Sequence, residues 1–298
     1  MSLDPRLYAF RDDLADARLR GRVEAPHFVE GVPGRVVVGR APVRKTPAPD
    51  AELLTFYHYG EPLVVFEAKD GRAWCQSMID DYVGYVALNQ VAPLEGALEP
   101  THYVHNLGAY TYAEPDLRSP VRDFLPRHSA VILAETGLMT RGTEYARLDT
   151  GGFLPLACLS DQPPASPDLV AAAALYLGCP YRWGGKSFLG IDCSGLVQNA
   201  SRDLGILVLR DTDMQRDTIG EGVAASSETE LEPGDLLYIP GHVLIYAGKG
   251  EAIHADGATM MVRRDNLAAL MRARGLDWSG FTVRRDPAAM RISSAGAG

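Results

Sequence analysis

The chain has 298 residues, 46% of them hydrophobic and 22% charged, and a formal net charge of -9. That length and apolar content accommodate two or three domains, each with a core of its own. The acidic balance, with no basic run longer than Arg284-Arg285, excludes nucleic acid as a partner.

The N-terminal stretch places Asp4, Asp12, Asp13 and Asp16 among several arginines. A secretory leader needs an uninterrupted apolar stretch of about 7–15 residues, which this pattern lacks. No run approaches the roughly 20 apolar residues of a membrane span. The sequence reads as cytoplasmic, without a membrane partner. Leu7, Phe10, Leu14 and Ala17 fall at intervals of three and four, which predicts an N-terminal helical segment within residues 1–32.

From residue 33 the pattern changes to short strands: Arg35 to Val38, Pro62 to Ala68, Trp74 to Ile79 and Gly84 to Val91. Pro47-Ala48-Pro49-Asp50, Lys69-Asp70-Gly71 and Asp80-Asp81 separate them as turns, and the whole reads as a small barrel over 33–97. A second set follows over 98–161, with strands at Val121 to Leu125, Ser129 to Glu135, Glu144 to Leu148 and Phe153 to Cys158. Gln162-Pro163-Pro164-Ala165-Ser166-Pro167 is a linker, because prolines remove backbone donors and stiffen the chain. Ser166 then offers a helix N-cap and Pro167 a first helical position, with Val170, Ala173, Ala174 and Leu177 as the buried face. A third domain runs over 162–287, and the Gly/Ser/Ala-rich segment 288–298 reads as a flexible tail.

The four cysteines, Cys75, Cys158, Cys179 and Cys193, form no CxxC pair and no zinc-finger spacing. In a reducing compartment they are expected as free thiols. Cys193 differs from the others in its surroundings. Leu196, Val197, Ala200 and Leu204 give the following residues a helical apolar face, Gly205 closes it, and Asp192 is a good N-cap. Cys193 thus falls in the first turn of a helix, where backbone N–H groups and the helix dipole are expected to favour a thiolate. Trp183-Gly184-Gly185 is a backbone-permissive approach to it, suited to close contact with a substrate.

Downstream, Leu236 to Ile239, Val243 to Tyr246 and Ala252-Ile253-His254 read as strands separated by Pro240-Gly241 and Gly248-Lys249-Gly250. Two adjacent antiparallel strands can bring His242 and His254 together as a general base and the group that orients it. A zinc site of Cys193 with the two histidines is the rival use of these residues. The sequence lacks the paired helical histidines and carboxylate base of a hydrolytic zinc motif, so no metal or other cofactor is expected. His27, His58, His102, His105 and His128 are read as structural.

Taken together, Tyr181-Arg182-Trp183-Gly184-Gly185, Asp192-Cys193-Ser194-Gly195-Leu196-Val197, Arg210-Asp211-Thr212-x-x-Gln215, Pro233-Gly234-Asp235-Leu236, His242-Val243-x-Ile245-Tyr246 and Ile253-His254-Ala255 resemble the NlpC/P60 family of cell-wall peptidases over roughly residues 165–287. The resemblance implies an α+β multidomain protein: two small SH3-like β-barrels followed by a papain-like NlpC/P60 domain. It implies Cys193 as nucleophile, His242 as base and His254 as third catalytic residue, with Tyr181 and Asp192 supporting the oxyanion and the site. Trp183, Ser194, Asp211, Thr212 and Tyr82 fall on its substrate side, Asp211 as the carboxylate for a substrate ammonium. The narrower group with two bacterial SH3 barrels implies a γ-D-glutamyl-L-diamino acid endopeptidase acting on small murein peptides such as L-Ala-γ-D-Glu-diaminopimelate. The alternatives are a secreted hydrolase of intact wall and a non-catalytic wall-peptide binder.

Overall fold

The computed structural model describes residues 3–94 and 99–286. The tail expected over 288–298, and the barrel boundary near residue 97, lie outside the described residues. The chain divides into two compact units, residues 1–164 and 165–298, parted inside the proline-rich linker.

The N-terminal unit is almost entirely β. Its first segment does not form the expected helix. Leu14–Asp16 is instead a strand that pairs in parallel with His27–Val29, and Ala17–Leu19 is a single 3-10 turn capped by the Asp16 side chain. Of the residues spaced like a helical face, Leu14 serves tertiary packing instead, burying with Ala9 against Phe66, Trp74 and Val83 of the barrel. Burial of that kind overrides a weak local helical preference.

Seven strands between Val32 and Pro93 form one antiparallel sheet that curls around Val36, Val43, Tyr57, Leu63, Cys75 and Val86. Residues 102–160 build a second module from a five-stranded and a three-stranded sheet. Its core gathers Val104, Leu125, Leu148 and Leu154, and it takes in Tyr59 from the first module. The Tyr59 hydroxyl meets Thr150 Oγ1 at 2.5 Å, so the pair of modules shares one seam.

The C-terminal unit is a six-stranded antiparallel sheet. In spatial order its strands are Glu221–Val223, Thr282–Arg285, Leu236–Ile239, His242–Gly248, Glu251–Asp256 and Met261–Asn266. Helices α1 (Leu169–Ala174) and α2 (Cys193–Arg202) pack on the His242–Gly248 and Glu251–Asp256 strands. Helix α3 (Thr212–Thr218) follows, and α4 (Leu267–Arg274) covers the opposite face. There Leu267 and Leu270 meet Leu237, Leu244, Tyr246 and Ala252. Side chains alternate along a strand, so Val243 and Ile245 face the α1–α2 layer while His242, Leu244 and Tyr246 face the α4 side. Each fully buried Leu or Val in such a core is worth about 1.5–3 kcal/mol.

Helix α1 starts later than expected and is turned on its axis. Asp168, not Ser166, is its N-cap, accepting from the Ala171 N–H at 2.7 Å. The Ser166 hydroxyl is committed elsewhere, donating to Asp203 Oδ2 at 2.6 Å. The buried face is consequently Leu169, Ala172 and Ala173, and Leu177 is exposed.

Candidate active site

Helix α2 is buried from Cys193 through Ser201, so both its faces are committed to the core and its start is fixed in place. Asp192 sets that start. Its Oδ1 accepts from the Gly195 N–H at 2.8 Å, and its Oδ2 accepts from the Gly184 N–H at 2.8 Å. One carboxylate therefore both caps the helix and anchors the approach segment around Trp183, a residue 63% exposed. Gly195 is required by this closeness: a Cβ there would stand 2.2 Å from the Gly185 carbonyl oxygen.

Arg210 completes the cluster. It is 1% exposed and grips Asp192 through two bonds, Nη1 to Oδ1 at 3.1 Å and Nη2 to Oδ2 at 2.6 Å. Its Nη1 also donates to Ser194 Oγ at 2.7 Å. The Ser194 hydroxyl, on the substrate side of the resemblance, is buried and held by this arginine. Gln215, fully buried, donates to the carbonyls of Ser194 and Leu209 at 3.0 and 2.8 Å, tying α3 to α2. Asp211 and Thr212 sit half-buried at the start of α3, directly after Arg210. Tyr82 belongs to the N-terminal unit, where it is buried in the Asp80-Asp81 turn and its carbonyl accepts the Tyr57 hydroxyl at 2.7 Å.

The Cys193 thiol is not the stabilised anion that a helix start alone implies. Burial pushes its pKa up to about 12, and the Asp192 charge adds to the rise. The Val243 N–H, the Arg210 charge and the Ser194 N–H pull the other way without prevailing. In the resting molecule the sulfur is a neutral thiol, hydrogen-bonded by the amide of the residue next to His242.

The imidazoles come from neighbouring strands. The register pairs Ile245 with Ile253, so Leu244 faces His254 and His242 lies on the diagonal, two residues further along the same face. His242 Nε2 and His254 Nδ1 are 2.9 Å apart, and the rings meet at 73°. His254 Nε2 in turn lies 3.0 Å from Asp265 Oδ2. Arg263 Nη2 holds the other carboxylate oxygen at 2.6 Å. Burial, then the neighbouring His254 and Arg274, lower the pKa of His242 to about 3, so it is a neutral base at ordinary pH. Burial likewise lowers His254, opposed by the bond to Asp265.

Tyr181 stands at the mouth of this arrangement, its ring passing over Gly257. Burial and then the Cys193 and Asp192 charges raise its phenol to about 12, which keeps it an O–H donor. A cavity of about 720 Å³ opens from Tyr181 and His242 toward α4, lined also by His254, Asp256, Arg263 and Arg274. Among the described residues no three His, Cys, Asp or Glu side chains are grouped to hold a metal ion.

A thiol at a helix start, hydrogen-bonded by the amide next to His242, and two imidazoles joined in line define a papain-like α+β domain that follows an SH3-like β domain in the chain. Residues 178–281 match the model of the NlpC/P60 family, and residues 43–91 match that of the bacterial dipeptidyl-peptidase SH3 domain. The C-terminal unit belongs to the NlpC/P60 family, and the first β module is a bacterial SH3 domain.

Among curated proteins the chain is similar to Dipeptidyl-peptidase 6 of Lysinibacillus sphaericus, at 43% identity over 30% of this chain and 32% of that one. It is also similar to Gamma-D-glutamyl-L-lysine dipeptidyl-peptidase of Bacillus subtilis (strain 168), at 32% identity over 33% of this chain and 34% of that one. The chain thus spans about a third of the length of these relatives. The crystal structure of an NlpC/P60 family protein from Bacillus cereus ATCC 10987 shares the fold. Its TM-score is 0.68 at 20% identity, covering 85% of this chain and 99% of that one.

Asp265 and Arg263 belong to none of the sequence motifs and carry no local signal of their role. Arg210 stands in its motif with no task evident from the sequence. A buried arginine in the loop after the nucleophile's own helix is legible only once its partner Asp192 is known to be buried too.

Proposed function

We propose that the C-terminal unit is a cysteine peptidase that hydrolyses peptides derived from peptidoglycan. The observation that carries this reading is the hydrogen-bonded line His242–His254–Asp265, together with a Cys193 thiol at the start of α2 that is hydrogen-bonded by the Val243 N–H, the amide next to His242. Cys193 passes its proton to His242 Nδ1 as the sulfur attacks the substrate carbonyl. The oxyanion that forms is met by the Cys193 backbone N–H and the Tyr181 hydroxyl. His242 returns the proton to the leaving amine, and water, deprotonated by the same ring, releases the acid from the thioester.

At the finer level, the bond cleaved is that between γ-D-glutamate and an L-diamino acid such as meso-diaminopimelate, in free murein peptides with an unblocked N-terminal L-alanine. Two things support it: the bond named in the Bacillus subtilis relative, and Asp211 beside the Arg210–Asp192–Ser194 cluster. A carboxylate that pairs with the substrate ammonium discriminates against an acylated amine, because the charge would be left unpaired. The setting proposed for this activity is the cytoplasmic recycling of released peptides.

The test is mass spectrometry of products from L-Ala-γ-D-Glu-diaminopimelate, its lysine counterpart and its N-acetylated form. Cleavage after the glutamyl residue of the free peptide alone, abolished in a folded Cys193→Ala variant, is the expected result. Equal rates on free and N-acetylated peptide point instead to intact wall as substrate. Turnover by Cys193→Ala removes the mechanism.

A further inference from the structure

We infer that Asp265 is a positioning residue that sets the protonation pattern of both imidazoles through His254. This deepens the peptidase reading and rests on it for its catalytic consequence, although the protonation pattern itself does not. The register of the Glu251–Asp256 and Met261–Asn266 strands pairs His254 with Arg263, so Asp265, two residues on, rises from the same face. Its Oδ2 lies 3.0 Å from His254 Nε2, while Arg263 occupies Oδ1 at 2.6 Å. The carboxylate is thereby held with one oxygen aimed at the ring.

A carboxylate only accepts, so His254 Nε2 must carry the hydrogen. In neutral His254 the other nitrogen, Nδ1, is then an acceptor. It lies 2.9 Å from His242 Nε2, which must therefore be the donor. Neutral His242 is left with a bare Nδ1, the form a base needs to take the thiol proton. The reverse pattern, with hydrogen on His254 Nδ1 and His242 Nδ1, occupies the nitrogen that the peptidase reading assigns as the base. Nothing in the two rings alone prefers the first pattern to the second; Asp265 does.

The groups facing His254 from every packed element fit this reading. They are His242 from the adjoining strand, Asp256 on its own strand, Arg263 and Asp265 from the strand beyond, and Arg274 from α4. Arg274 is bonded to Asp256 at 2.9 Å, which leaves Asp265 as the carboxylate at the histidine ring. As His242 gains a proton during the reaction, the new charge lies one ring away from that carboxylate, as in a triad whose acid orients the imidazole without being protonated.

The test compares wild type with Asp265→Asn and Asp265→Glu. Asparagine can present an N–H to His254 Nε2 and so favours the reverse pattern; glutamate keeps an acceptor. In the expected result, ¹⁵N imidazole spectra of the wild type show hydrogen on Nε2 of both rings, and Asp265→Asn moves it to Nδ1. In kinetics, Asp265→Asn lowers kcat by about 100-fold, the low end of what a positioned general base contributes. KM stays unchanged, and Asp265→Glu restores most of the loss. Wild-type rings protonated on Nδ1, or an Asp265→Asn enzyme with unaltered kcat, overturn the inference. The spectra need no substrate, so they decide it even where the peptidase reading itself fails.

Discussion

Arg210 and Asp192 meet through two hydrogen bonds, of 3.1 and 2.6 Å, in a place where neither is open to solvent. Such a pair is a poor source of net stability, since two charges must be desolvated to form it. Breaking it is another matter, because the survivor is buried unpaired.

Arg210→Met is therefore expected to destabilise the C-terminal unit by about 3–5 kcal/mol, a fall in Tm on the order of 10 °C. Thermal melts followed by circular dichroism measure this. A shift of only a degree or two contradicts the assignment of Arg210 as the partner that makes Asp192 tolerable in the core.

Gly195→Ala puts a Cβ 2.2 Å from the Gly185 carbonyl oxygen and 3.0 Å from Asp192 Oδ1. Gly185 backbone on one side and the Arg210-bound Asp192 carboxylate on the other leave little room to give, so the Trp183–Gly185 segment must move away from α2. The expected cost is about 1–3 kcal/mol of stability, together with a loss of turnover larger than the loss of fold. Paired melts and peptide assays separate the two; a variant with native activity removes the close approach as a requirement.

The resting thiol gives a prediction in pH. With its pKa raised to about 12, Cys193 is a neutral thiol at pH 7. Alkylation by iodoacetamide, which consumes the thiolate, should climb steadily with pH and show no acidic plateau. A plateau below about pH 6 reveals a preformed thiolate–imidazolium pair and refutes this resting state.

His242 carries a stability signature as well. Its folded pKa of about 3 lies below the 6.5 of a free imidazole, so below 6.5 the unfolded chain takes up a proton that the folded chain refuses. Stability is thus intact above about pH 6.5 and falls as the pH drops toward 3, by about 2 kcal/mol between pH 6.5 and 5. Urea titrations at the two pH values test it. His242→Gln should lose this share of the acid sensitivity, and an unchanged slope in that variant rules the residue out as its source.

The helix that carries Cys193 is legible in the sequence because everything that defines it is local: a capping aspartate, then apolar residues at helical spacing. The histidine strands are legible for the same reason, since glycine and proline turns bracket them. The N-terminal segment misleads because Leu14 and Phe10 satisfy a helical interval by accident. Phe10 bridges to Ala15, and Leu14–Asp16 joins a strand, contacts that lie in tertiary structure. Strands Arg40–Arg44 and Leu53–His58 are obscured by Pro42 and by the polar turn between them. Asp265 is out of reach altogether, since its meaning depends on which residue of one strand lies opposite which residue of the next.

Among the described residues Thr282–Arg285 is the latest strand in chain order, yet it lies inside the sheet, between Glu221–Val223 and Leu236–Ile239. Its Arg285 anchors there on the fully buried Asp235 at 2.7 Å. During synthesis the Leu236–Ile239 strand keeps one unpaired edge until residue 285 has left the ribosome. A nascent chain that already holds Cys193 and both histidines thus still carries an unfinished sheet.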